Sequence, residues 1–296
     1  MFALFALFAL SSAPVSAQDT KPALVLMQER LKVASPADTF AVAMRDGSSF
    51  VGRVIAVRGD TVEMTTTVGT LRFAIGDVRR VTAVRSQDVV NGEYWFPNPN
   101  TTRLLFAPTG RMLKKGEGYF SDYMLFLPGV AGGLNDRITI GGGFSILPGV
   151  GLDEQLFYVT PKLGVIAGDK LNVAIGVLAA RFGLRGAGRE KTFAIPYVVG
   201  TYGSEKGSVT TGIGYGYANG KLANSPALLL GGDARLSRRF GLVTENYVFP
   251  SSFDGAAVSV GARFFGEKLS ADFGLVRLVG GSDGVTLPYV GFVANF

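Results

Sequence analysis

The chain has 296 residues, a hydrophobic share of 47%, 41 glycines, a formal net charge of +6 and neither cysteine nor histidine. Without those two residues, disulfide frameworks, ordinary zinc sites and most nucleophilic hydrolysis are excluded, so neither an enzyme nor a cofactor is expected. The positive charge is dispersed rather than gathered in blocks, which argues against nucleic acid as a partner, and no apolar run reaches the length of a membrane-spanning helix.

Residues 1–17 read as a signal peptide: an apolar run from Met1 to Leu10, then Ser11, Ser12 and Pro14, then the small-residue pattern Val15-Ser16-Ala17. The usual basic start is missing. Residues 18–38 read as a short helix and linker, with Leu24, Leu26, Met27 and Leu31 as its apolar positions and Pro36 ending it. From 39 to 86 the pattern becomes that of short strands, Phe40–Met44, Ser49–Val57, Thr61–Thr67 and Thr70–Ala74, separated by Asp46-Gly47, Arg58-Gly59-Asp60 and Gly69. This stretch, with its DG turn, strand glycine and T-x-x-G hairpin, resembles the small bent-sheet barrels of the Sm-like and SH3-like type. The resemblance covers about fifty residues and implies a docking or spacer module, with a periplasmic protein as the partner it would take.

After a linker at 87–101, segments of alternating residues repeat from 102 to 296 at the length of a tilted membrane strand. The expected strands are 102–108, 119–131, 137–147, 155–166, 170–182, 191–202, 207–217, 225–236, 240–249, 255–265, 268–279 and 285–296. Tight turns alternate with longer connections. The reading is all-β: an antiparallel up-and-down transmembrane barrel of about twelve strands, with ten as the alternative because 102–108 is the weakest segment. Both chain ends would then lie on the periplasmic side of a Gram-negative outer membrane. "YVGFVANF" closes the chain and resembles the C-terminal recognition strand of outer-membrane proteins, which implies Gly291, Phe292, Ala294 and Phe296 as the signal that barrel assembly machinery would read and outer-membrane lipid around the wall. The segments "NPNTTRLLFAPTGRMLKKGEGYF", "ITIGGGFSI", "LVTENYVF" and "FFGEKLSADFGL" give this part a resemblance to uncharacterised outer-membrane barrel proteins of Gram-negative bacteria. That resemblance implies fold and location, and no activity.

A charge facing lipid at mid-membrane costs about 2–4 kcal/mol for Arg or Lys, so charged residues belong inside. Alternation assigns Arg103, Asp122, Arg137, Lys162, Asp233, Arg235, Glu245, Arg263 and Asp272 to the lumen. Arg263 and Asp272 are expected slightly off register, in diagonal contact across one hairpin. Such a lining reads either as structural salt bridges or as a polar filter; the function expected is a narrow channel for small hydrophilic solutes, with a closed, anchoring barrel as the alternative. An unobstructed lumen favours the channel, and a filled one favours an anchor.

Overall fold

The computed structural model describes residues 38–85, 88–183, 190–218, 220–250, 255–280 and 284–296. The chain forms two compact units, Met1–Trp95 and Phe96–Phe296. The expected signal peptide and short helix lie outside the described residues.

The first unit is a five-stranded antiparallel sheet: β1 (Thr39–Met44), β2 (Ser49–Arg58), β3 (Thr61–Thr66), β4 (Gly69–Ala74) and β5 (Val78–Val84), in the order β4-β3-β2-β1-β5. A single 3-10 turn, Ile75–Asp77, precedes β5. Alternation in β1 turns Phe40, Val42 and Met44 inward, where they meet Met64 and Val78. At the first turn Gly47 takes φ 92°, and Asp46 accepts hydrogen bonds from the amide and hydroxyl of Ser48. Those two bonds hold the Asp46 carboxyl below its ordinary range. The fifth strand was not expected from the sequence. Its period of two is broken by a bulge, since Ala43 pairs with Arg80 and Met44 with Val78, leaving Arg79 unpaired between them. A two-residue hairpin, β6 (Val89–Val90) and β7 (Glu93–Tyr94), completes the unit.

The second unit is a closed antiparallel barrel. Its strands are β8 (Gly118–Tyr123), β9 (Leu127–Asn135), β10 (Ile138–Phe144), β11 (Phe157–Val159), β12 (Lys162–Ala167), β13 (Leu171–Gly183), β14 (Glu190–Ser204), β15 (Gly207–Gly214), β16 (Tyr217–Ala218), β17 (Lys221–Leu222), β18 (Ala227–Arg235), β19 (Phe240–Phe249), β20 (Gly255–Phe265), β21 (Leu269–Val279) and β22 (Val285–Asn295). Three pairs, β11 with β12, β15 with β16 and β17 with β18, each run between the same neighbours and make one wall strand apiece, giving twelve. The ring closes where β22 pairs with β8, from Gly291 opposite Tyr123 to Asn295 opposite Tyr119. Prolines explain two of the interruptions. Pro161 separates β11 from β12, and Pro196 lies opposite the gap between β15 and β16; neither has an N–H to give the ladder.

The total of twelve was expected, but two segments behave otherwise. Residues 102–108 are not a wall strand. Residues 119–131 are two strands, folded at Met124 and Leu125, which take φ 57° and 65°. One strand is lost and one gained.

Outward positions carry exposed apolar side chains around the ring, among them Val130, Ile140, Ile175, Val209, Leu230, Val260 and Phe273. Inward positions hold Ser121, Thr139, Lys162, Thr201, Thr210, Arg235, Glu245, Arg263 and Asp272, all buried. An apolar band outside a polar interior is the pattern of a strand-built membrane wall. The turns at Asn135–Ile138, Ala167–Leu171, Ser204–Gly207, Arg235–Phe240 and Phe265–Leu269 share one end of the barrel with the start of β8 and the end of β22. We call it the near end.

Candidate functional site

The lumen is occupied by the chain itself. Between Phe96 and Glu117 there is no regular strand, yet Phe96, Asn98, Asn100, Thr102, Leu104, Leu105, Ala107 and Thr109 are buried. The segment enters at the near end, turns at Leu105 and Phe106, and returns to the same end. Its legs are joined by hydrogen bonds from Leu104 N to Ala107 O (2.8 Å) and from Thr109 N to Thr102 O (2.9 Å).

Buried backbone without a ladder needs other partners, and the wall's inward charges provide them. The Glu245 carboxylate accepts the N–H groups of Leu105, Phe106 and Ala107 at 2.9, 2.9 and 2.8 Å, while its other oxygen accepts the Tyr247 hydroxyl. Arg263 donates to the carbonyls of Asn100 (3.1 Å) and Leu104 (2.6 Å). Lys162 donates to those of Thr102, Thr109 and Arg111. Arg235 reaches Phe96 O at 2.7 Å, with its guanidinium 4.8 Å from the Phe96 ring and 4.6 Å from that of Phe265. Other groups add to them: Tyr289 donates to Leu105 O, Thr201 accepts from Gly110 N, Glu205 from Asn98 N, and Asn295 donates to Pro99 O. Gly110 passes so close to the wall that any Cβ would collide with the carbonyl of Asn172. Across the lumen, a Cβ on Gly231 would lie 2.5 Å from Leu104 Cδ1. At the tip, the Phe106 ring stacks on Tyr123 (5.5 Å) and meets Tyr289 edge-on (4.9 Å).

Seven of the nine charges assigned to the lumen by alternation lie inside. Arg103 belongs to the plug rather than to the wall. Arg263 and Asp272 face each other in direct register, not diagonally, and form a two-point ion pair at 2.6 and 2.9 Å with both side chains out of solvent. Asp233 takes the Ser208 hydroxyl. Two assignments need correction. Asp122 stands on the outward face with Phe120, directly opposite Phe292, and accepts Leu127 N–H beside the fold at Met124. Arg137 is exposed in the near-end turn and donates along the backbone of β12, to Gly164 and Val165.

Asn246 occupies an outward position that alternation makes costly. Its amide donates to Leu230 O and accepts Ser259 N–H, and the Ser259 hydroxyl donates to Glu245 O. These bonds replace ladder pairs between β19 and β20, so no bulge is needed. In the closing strand, Gly291 faces inward, Phe292 and Ala294 outward, and the Phe296 ring covers Gly118. Pro97, Pro99 and Pro108 are the sequence signal that marks 96–109 as something other than a wall strand. Nothing local in the sequence marks Tyr289, Thr201 or Asn295 as its partners. Among the described residues no group of acidic side chains is placed to hold a metal ion.

No protein-family model matches the chain, and no curated protein matches it. Solved structures similar to it include a loop L8 deletion mutant of OmpT, an outer membrane protein of Vibrio cholerae (14% identity, 88% of this chain and 96% of that one, TM-score 0.36). Others are Salmonella typhi OmpF in complex with daunomycin (10%, 88% and 95%, 0.33) and the outer membrane channel DcaP of Acinetobacter baumannii (10%, 88% and 94%, 0.31).

Proposed function

We propose that this protein is a non-enzymatic outer-membrane anchor of a Gram-negative bacterium. Its barrel is closed by its own plug, and its small β domain serves in the periplasm to dock a protein partner. The observation that carries this reading is the occupied lumen: three backbone N–H groups on one carboxylate, and carbonyls on Lys162, Arg235 and Arg263. A channel lining keeps its charges for water and solute, whereas these are bound to the chain. The five-stranded order with a 3-10 turn before the last strand supports the Sm-like or SH3-like reading of the docking domain.

Planar-bilayer recording tests it. The intact protein should give no steady single-channel steps, and a variant lacking residues 98–113 should conduct. Steps of uniform size from the intact protein would replace the anchor with a narrow channel. One observation favours that second reading: the plug enters and leaves by the same end, so it can withdraw without opening the wall.

A further inference from the structure

Among the described residues of the barrel unit, the buried charged side chains are four cations, Arg103, Lys162, Arg235 and Arg263, and two carboxylates, Glu245 and Asp272. Asp272 belongs to Arg263, and Glu245 is engaged by the plug's N–H groups and Tyr247. Arg235 sits between two aromatic rings at the near end. Arg103 and Lys162 form no ion pair: Arg103 feels Asp272 only at longer range, and Lys162 is held by backbone carbonyls. Both line one cavity of about 100 Å³ between the plug and the wall, together with Thr102, Tyr119, Tyr123 and Tyr197, and no acidic residue lines it. That volume is roughly three times a water's share of liquid.

The carbonyls that Lys162 and Arg103 touch satisfy hydrogen bonds but carry no net charge. A guanidinium held out of bulk water in this space, with only the shared charge of Asp272 acting on it, calls for a counter-ion. The Arg103 guanidinium lies 4.5 Å over the Tyr123 ring and donates to Leu105 O, while its Nε, fully buried, has no partner. Hydroxyl-bearing side chains and an unpaired guanidinium N–H around a cationic space are chemistry suited to a small oxyanion.

We propose that this cavity binds one small inorganic oxyanion of the phosphate or sulfate type, which neutralises Arg103 and Lys162 and ties the plug to the wall. The site requires the plug in place, and it does not depend on the anchoring role. The test is equilibrium dialysis of the detergent-solubilised full chain against radiolabelled inorganic phosphate at low salt. One phosphate per chain is expected, displaced by sulfate. Arg103→Met should weaken binding at least tenfold, whereas Arg137→Met, in the exposed turn, should bind as the parent does. Should Arg103→Met fail to give a folded barrel, Ala131→Leu, which fills the cavity without removing a charge, should abolish binding. Failure of the parent chain to bind phosphate stoichiometrically, or undiminished binding by whichever of these two variants folds, overturns the site. Conductance by the intact protein would end the anchor reading and leave this one to the dialysis result.

Discussion

At the scale of single residues, the Arg263–Asp272 pair shows how dry the barrel's interior is. Both side chains are out of solvent, so Asp272→Ala leaves a guanidinium buried with only backbone carbonyls, and removing one partner of such a pair costs about 3–5 kcal/mol. Urea unfolding in detergent micelles should show that loss, and a double variant with Arg263→Met and Asp272→Leu should recover most of it. Glu245→Gln keeps the shape but turns charge-assisted bonds into neutral ones, and hydrogen bonds to charged groups are worth about 1.5–3 kcal/mol each. Its expected signature is faster limited proteolysis within 98–113, with the wall intact. Which charges face inward was largely legible from alternation, because a mid-membrane charge has nowhere else to go. Asp122 and Arg137 depart from that pattern for one reason: both lie where strands end, one beside the fold at Met124 and the other in a turn.

Among the elements, the wall strands and the plug differ in how much the sequence reveals. A strand of the wall is fixed by its own period of two and by the turn that follows, both local. The plug segment also alternates, with Thr102, Leu104 and Phe106 against Arg103, Leu105 and Ala107. Its removal from the wall is decided by partners 90 to 190 positions away, such as Thr201, Glu245 and Tyr289, which no local pattern encodes. Prolines in it are a weak sign, since the wall carries Pro161 and Pro196 as well. The fold at Met124 and Leu125 was hidden because non-glycine residues rarely take positive φ. The closing strand was the most legible element. Phe296 covers Gly118 and donates its N–H to Gly118 O, so it joins the last strand to the first. Phe296→Asp should lower the yield of the heat-modifiable form far more than Ser237→Asp in the turn between β18 and β19, measured by band shift in unheated gels. Equal yields would remove the terminal ring from the closure.

For the whole molecule, the division at Trp95 and Phe96 predicts two independently folding parts. Residues 96–296 alone should refold into micelles with the same heat-modifiable shift as the full chain. Residues 38–95 alone should give a cooperative thermal transition by circular dichroism, since β1, β3 and β5 supply the Phe40, Met64 and Val78 core among themselves. The plug's path has a mechanical consequence. A loop that goes in and comes out through one opening is not threaded, so it forms no knot with the wall. Tension applied at residue 96 would load its contacts one after another, Arg235 on Phe96 first, then Glu205 on Asn98, Asn295 on Pro99 and Arg263 on Asn100. Contacts loaded one at a time peel at a force no greater than a single contact bears, whereas the ring of strands shares its load in parallel. The barrel is therefore a bottle whose cork can be drawn by its own string while the glass stays whole.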